Sequence, residues 1–170
     1  VRKRPGMYIG GTDETAYHHL ANEILDNSID EVVAGYAKII SVKLINKNTI
    51  TISDDGRGIP IDKHPKKKKT ALEVVMTTLH SGGKFNDSVY KSSAGLHGVG
   101  LSVVNALSSK LNIKITKNAK IFNQDYSKGK ILNKLKLIGK NKIKNGTQIT
   151  FTPDPEIFGK ELSFNPEKIY

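Results

Sequence analysis

Three short polar segments, punctuated by glycine or carboxylate and arranged in one order along 170 residues, constrain this chain more than anything else in it. They are Glu23-Ile24-Leu25-Asp26-Asn27-Ser28-Ile29-Asp30-Glu31, Asp54-Asp55-Gly56-Arg57-Gly58-Ile59-Pro60, and Gly95-Leu96-His97-Gly98-Val99-Gly100. The first reads as helix, the second as the end of a strand, and the third as the entry to another helix. A fold that gathers them makes a pocket with an acidic wall, an acceptor for a flat ring and a cradle for phosphate, which is the chemistry of a nucleotide site.

The helical reading rests on Thr12 and Asp13 as start caps, Ala34-Gly35 as a stop, and recurring apolar residues between them. At about 100° per residue, Ala21, Ile24, Leu25, Ile29, Val32 and Val33 fall on one broad arc, with Glu23, Asn27, Asp30 and Glu31 opposite and Asp26 at the border. A polar face of this kind is ordinarily solvated. Asn27, one turn after Glu23, argues for more, because an amide oxygen can ligate a Mg²⁺ that keeps waters and phosphate oxygens. Glu23 then stands where a base could orient and deprotonate a water.

Ile50 and Ile52 alternate with Thr49, Thr51 and Ser53, the period of a half-buried strand, and the strand breaks at Asp54-Asp55-Gly56. An ordinary Asp-Gly turn is one reading. The other is a carboxylate that accepts a hydrogen bond from an exocyclic amine, beside glycines that let backbone approach a ring. Arg57 is one of only three arginines, with Arg2 and Arg4. The glycine run leads into Leu101 to Leu107, whose residue types suit a buried helix, and amides at such a helix start receive phosphate. Its spacing is not the dinucleotide fingerprint, and no Gly-x-x-x-x-Gly-Lys-Ser/Thr loop occurs in the chain.

With Arg4-Pro5-Gly6-Met7-Tyr8-Ile9-Gly10, Leu79-His80-Ser81-Gly82-Gly83-Lys84-Phe85 and the uninterrupted run from Gly95 to Leu107, the chain resembles the N-terminal ATPase region of the B subunits of bacterial type II topoisomerases. That family lies within the superfamily of gyrase, Hsp90, histidine kinases and mismatch-repair ATPases. The resemblance implies ATP and Mg²⁺ as cofactors, with Glu23 the general base and Asn27 the metal ligand. Asp54 would receive the adenine amino group, helped by Thr147. Glu31 and Arg57 would pair at the pocket mouth beside the wall of Gly58, Ile59 and Pro60, and Asp30 would belong to the same binding face. Ile24, Ile52, Val75, Met76 and Ile149 would form the apolar floor. Lys84, Tyr90 and Lys91 fall in the segment resembling a lid, about 82–100, which ends in the phosphate-binding Gly95, Leu96, His97, Gly98, Val99 and Gly100. The partners implied are a second B subunit, an A-type subunit, DNA through the whole enzyme, and aminocoumarin-class or other ATP-site inhibitors, in the cytoplasm and away from membranes.

Two departures incline the resemblance toward the B subunits of topoisomerase IV over those of gyrase. Asn123 stands where gyrase B subunits carry an arginine that contacts aminocoumarins, and Pro153-Asp154-Pro155-Glu156-Ile157-Phe158-Gly159 resembles the topoisomerase IV tail. Ala94 replaces a frequent glycine, which would stiffen the lid hinge. The family's N-terminal arm would precede Val1 and its transducer domain would follow Tyr170. Residues 1–170 are therefore expected to be a single, C-terminally truncated ATP-binding domain that binds ATP with weak turnover.

Hydrophobic residues make up 37% of the chain, enough for one core, and no apolar run approaches membrane-spanning length. Zero cysteines exclude disulfides and thiolate metal sites, and the five histidines show no zinc-like spacing, so a structural role is expected for each. A net charge of +11 invites nucleic acid, most sharply at Lys66-Lys67-Lys68-Lys69. Lysine is abundant along the whole chain, however, and the run reads as a solvated loop. A nonhydrolysing basic nucleic-acid module is the alternative function. Strands are expected at 38–45, 49–53, 111–117, 120–126, 130–138 and 147–152, and helices at 14–34, 71–81 and 98–109. The fold class is α+β, a two-layer sandwich of helices on a mixed, mainly antiparallel sheet.

Overall fold

The computed structural model describes residues 2–62, 70–78, 100–140 and 145–166. The long helix forms as the caps require. It is α2, Glu14–Val33, preceded by the single turn α1, Gly6–Ile9, and the Asp13 side chain accepts the Ala16 N–H at 3.0 Å. Its end is closed by Gly35 at φ +86°, which lets Tyr36 and Ala37 donate back to the Glu31 carbonyl. The next elements are β1 (Ile40–Asn46), β2 (Thr49–Asp54), α3 (Ala71–Thr77) and α4 (Gly100–Ala106). They are followed by β3 (Ser108–Lys117), β4 (Lys120–Ser127), β5 (Lys130–Ile131), β6 (Lys136–Lys140), β7 (Asn145–Pro153) and the short α5 (Pro155–Phe158). The expected strand at 130–138 is thus two short strands, the expected helix at 71–81 ends at Thr77 with Thr78 extended, and the expected helix at 98–109 ends at Ala106, with Ser108 already in β3; residues 79–81 lie outside the described residues.

The sheet runs β1-β2-β7-β3-β4-β5, with β6 also on β4. Every described pairing is antiparallel, where a mixed sheet was expected. One face buries Ile50, Ile52, Ile113, Ile115, Ile149 and Phe151 against Tyr17, Leu20, Ala21 and Ile24 of α2 and Leu72 and Met76 of α3. Alternation by two along the strands and by three or four along the helices makes that match, and each buried Ile or Leu contributes about 1.5–3 kcal/mol.

The buried arc of α2 departs from the expected one in its last turns. Ser28 and Glu31 are buried, whereas Ile29 and Val32 are 39% exposed and Val33 is 74% exposed. Counting from Tyr17 and Ile24, the core-facing stripe passes through positions 28 and 31. There the helix overlies the end of β2, so its buried neighbours are the polar groups of the Asp54 turn.

Candidate functional site

Asp54 is the last residue of β2 and faces Thr147 of β7 directly across the ladder. Gly146 makes that approach close: a Cβ there would lie 2.5 Å from the Asp54 carbonyl oxygen. The Asp54 carboxylate is 9% exposed. Its Oδ2 accepts the Ser28 hydroxyl at 2.7 Å and its Oδ1 accepts the Gly56 N–H at 2.9 Å. Burial pushes its pKa above the ordinary carboxylate value, opposed by those two bonds. The Thr147 hydroxyl accepts the Ile59 N–H at 3.1 Å, which ties the wall of Gly58, Ile59 and Pro60 to β7. Gly58 adopts φ +81°, a conformation that favours glycine.

Glu31 and Arg57 form a forked pair. The guanidinium reaches Glu31 Oε1 at 2.6 Å and Oε2 at 3.2 Å, and the Arg57 backbone N–H adds a bond to Oε2 at 3.0 Å. Arg57 also lies 3.8 Å over the Tyr36 ring. This pair holds the Asp54–Ile59 turn against α2. Lys117, on the same sheet face, packs its stem beside Gly58, and burial lowers its pKa.

Glu23 lies five residues before Ser28, about 7.5 Å along the helix axis. Its side chain is 11% exposed, with Oε1 at 2.9 Å from His19 Nε2. Gly100, the first residue of α4, sits so close that a Cβ would overlap the Glu23 carboxylate. The hydrogen bond to Glu23 raises the His19 pKa above the usual imidazole value, against partial burial. His19 was missed in the sequence, where each histidine was assigned a structural role. The available signal was its place one turn before Glu23 on the same helix face. Ser28 was missed too, because its partner is 26 residues away.

The elements therefore bring Asp54, Thr147, Ser28, Glu31, Arg57, Gly58, Ile59 and Pro60 to one end of a site, and Glu23 with Gly100 to the other. Asn27 and Asp30 are half-buried on α2 between and beyond them. Met76 is wholly buried within the core, and its carbonyl accepts Asn105 Nδ2 at 2.9 Å. Lys84, Tyr90, Lys91, Gly95, Leu96, His97, Gly98 and Val99 lie outside the described residues, as do Lys66 to Lys69. Asn123 is turned to the far face of the sheet, accepting from Asn112 at 2.8 Å.

The donor set suits an adenine nucleotide. A buried acceptor stands at one end, a carboxylate lies beneath the first residue of a glycine-led helix at the other, and glycines at 56, 100 and 146 occupy positions where a side chain would intrude. Among the described residues no three His, Cys, Asp or Glu side chains form a metal-binding group, and no helix is long and apolar enough to cross a membrane.

Comparison with known proteins finds relatives across the whole chain. The family model for histidine kinase-, DNA gyrase B-, and HSP90-like ATPases matches residues 12–157. The chain is 61% identical to the B subunit of DNA topoisomerase 4 from Rickettsia felis, over 100% of this chain and 26% of that protein. It is 52% identical to the B subunit of DNA gyrase from Thermus thermophilus, over 99% of this chain and 27% of that protein. The crystal structure of the 43K ATPase domain of Thermus thermophilus gyrase B in complex with an aminocoumarin superposes with a TM-score of 0.85 at 46% identity, covering 99% of this chain and 42% of that one. The chain thus spans about a quarter of the curated relatives it matches.

Proposed function

Because this chain belongs to the histidine kinase-, DNA gyrase B-, and HSP90-like ATPase family, we propose that it is the ATP-binding and hydrolysing domain of a type II DNA topoisomerase, within its B subunit. Topoisomerase IV is favoured over gyrase. The identities of 61% and 52% support that choice, together with Asn123 and the Pro153–Gly159 tail. In the whole enzyme, ATP would close two B subunits as a gate around a transported duplex, with an A-type subunit as the other partner.

The observation that carries the reading is the buried Asp54 carboxylate, held by Ser28 and Gly56 and faced by Thr147. In this reading Asp54 accepts the adenine amino group, Thr147 assists, and the Gly58–Pro60 wall covers the ring. Glu31 is occupied by Arg57 and acts on the wall, not on the ligand. Mg²⁺, when bound, neutralises the phosphates; Asn27 would be its protein ligand. Lys84, Tyr90, Lys91 and the Gly95–Gly100 run would hold the phosphates. Glu23 takes a proton from the attacking water, and His19 holds the Glu23 carboxylate in register beneath Gly100.

Calorimetric titration with a nonhydrolysable ATP analogue, with and without Mg²⁺, tests this on wild type and Asp54→Asn. The expected result is saturable one-to-one binding that strengthens with Mg²⁺ and fails in the variant, since the amide keeps one acceptor oxygen where Ser28, Gly56 and the adenine amine draw on two. A folded wild type that takes up no nucleotide would overturn the reading for this chain.

A further inference from the structure

Lysine, which the sequence presents as spread along the chain, is segregated between the layers of the fold. α2 carries Glu14, Glu23, Asp26, Asp30 and Glu31 with no lysine or arginine. The sheet reverses the balance. Strand alternation places Lys43, Lys110, Lys114 and Lys136 on the face turned away from the helices, opposite to Ile50, Ile52, Ile113 and Ile149. Cross-strand register sets these lysines in polar rows. Lys114 stands between Gln148 and Asn123, with Lys136 beyond, and Lys43 is in line with Thr51, Thr150 and Asn112.

Two carboxylates share this face, and amides surround both. Asp125 accepts Asn112 Nδ2 at 2.7 Å and Asn133 Nδ2 at 2.8 Å, and Asp55 Oδ1 accepts the Lys38 and Ile39 N–H groups at 2.7 and 2.9 Å. Among the described residues neither Asp125 nor Asp55 forms a salt bridge with these four lysines, although Lys114 is near enough to help lower the Asp125 pKa.

We propose that this outer sheet face is a docking surface for the backbone of duplex DNA, engaged through Lys43, Lys110, Lys114 and Lys136. Strands about 4.8 Å apart and rows about 7 Å apart spread the four cations over roughly 25 by 14 Å, a scale on which phosphates of one duplex can be met together. The rows that carry the lysines are Ser, Thr, Asn, Gln and Lys, one of them ending on Asp125, with Ile121 in the next row. The lysine rows offer no aromatic platform for single-stranded bases and hold no apolar side chain of their own for an acidic protein to bury. Hydroxyl and amide groups between the lysines suit phosphate oxygens, so the contact is blind to sequence and falls with salt. The choice of DNA among polyanions rests on the proposed topoisomerase reading; the charge segregation does not. The Asp54 and Thr147 side chains are turned to the other face of the sheet, toward Ser28 and Ile59.

The test is fluorescence anisotropy of a labelled duplex of about 20 bp, titrated from about 50 to about 200 mM salt. Three proteins are compared: wild type, the triple variant Lys43→Gln, Lys114→Gln, Lys136→Gln, and a charge-matched triple Lys66→Gln, Lys67→Gln, Lys68→Gln. The outer-face triple should bind at least about tenfold more weakly, with a salt slope shallower by up to about three, while the control triple keeps most of its affinity. Both should bind the ATP analogue as wild type does. Equal losses in the two triples would assign binding to net charge and overturn the surface. So would displacement of the duplex by polyglutamate at equal charge concentration, which would point to an acidic protein. A wild type that binds the ATP analogue and no duplex sinks the docking surface while leaving the ATPase reading in place. Duplex binding without nucleotide binding does the reverse.

Discussion

Ser28→Ala removes one hydroxyl from a buried carboxylate, and its consequence can be worked through in sign and size. The bond to Asp54 Oδ2 is 2.7 Å and buried, and Oδ1 keeps its bond from Gly56. Loss of a hydrogen bond to a charged group costs about 1.5–3 kcal/mol. Alanine returns about 0.5 kcal/mol of helix propensity, leaving a deficit of roughly 1–2.5 kcal/mol. With a urea slope of about 2 kcal/mol/M, the midpoint should fall by roughly 0.5–1.2 M. The pH dependence identifies the cause. The Asp54 pKa is already raised by burial, and the Ser28 bond is the larger of the two bonds that oppose the rise. A carboxyl whose folded pKa lies above its unfolded value favours the fold most below the unfolded value, near 3.9, and loses that contribution as pH rises through the folded value. Without Ser28 the folded pKa rises further. The deficit is therefore larger at about pH 7.5 than at about pH 5. Urea unfolding followed by circular dichroism at both values reads this directly. A deficit of the same size at the two pH values would refute the argument, because the hydroxyl would then be packing without acting on the charge.

Glu23→Ala in an intact B subunit should lower hydrolysis by roughly 10²–10⁴ and spare nucleotide binding, the range for a lost general base; equal loss of binding, measured calorimetrically, would give Glu23 a structural role. His19→Ala removes the bond to Glu23 Oε1. His19 has a raised pKa and is 43% exposed, so the pair's stabilisation is below about 1 kcal/mol. It is present at about pH 6 and lost as pH climbs through the raised folded value, and a melting deficit that instead grew toward about pH 9 would contradict the pairing. Gly146→Ala places a Cβ 2.5 Å from the Asp54 carbonyl oxygen. Backbone cannot yield there cheaply, so a loss of about 1–3 kcal/mol is expected together with weaker nucleotide binding, and an unchanged melting temperature would show that β2 and β7 stand further apart.

The helix from Glu14, the strand ending at Asp54 and the helix before Leu107 were legible because caps, periodicity and Asp-Gly turns act over a few residues. Glu23, Asn27, Asp54 and Arg57 stood out for the same reason: each sits in a short segment whose residue types already describe its chemistry. The burial of Glu31 was not legible, since the polar and apolar arcs of α2 were assigned from residue type alone. Packing over the end of β2 selects the stripe through Ser28 and Glu31 instead, and leaves Ile29 and Val33 partly in solvent.

Local interactions in the chain thus determined which elements form and which residue types could carry nucleotide chemistry. Only the tertiary structure decided which groups meet. Ser28 reaches Asp54 across 26 positions, Thr147 reaches Ile59 across 88, and Lys43, Lys110, Lys114 and Lys136 from three strands gather on one face while the carboxylates of α2 lie on the other. Those encounters depend on strand register and on how a helix rests on a sheet, and both are settled by packing between segments that share no local signal.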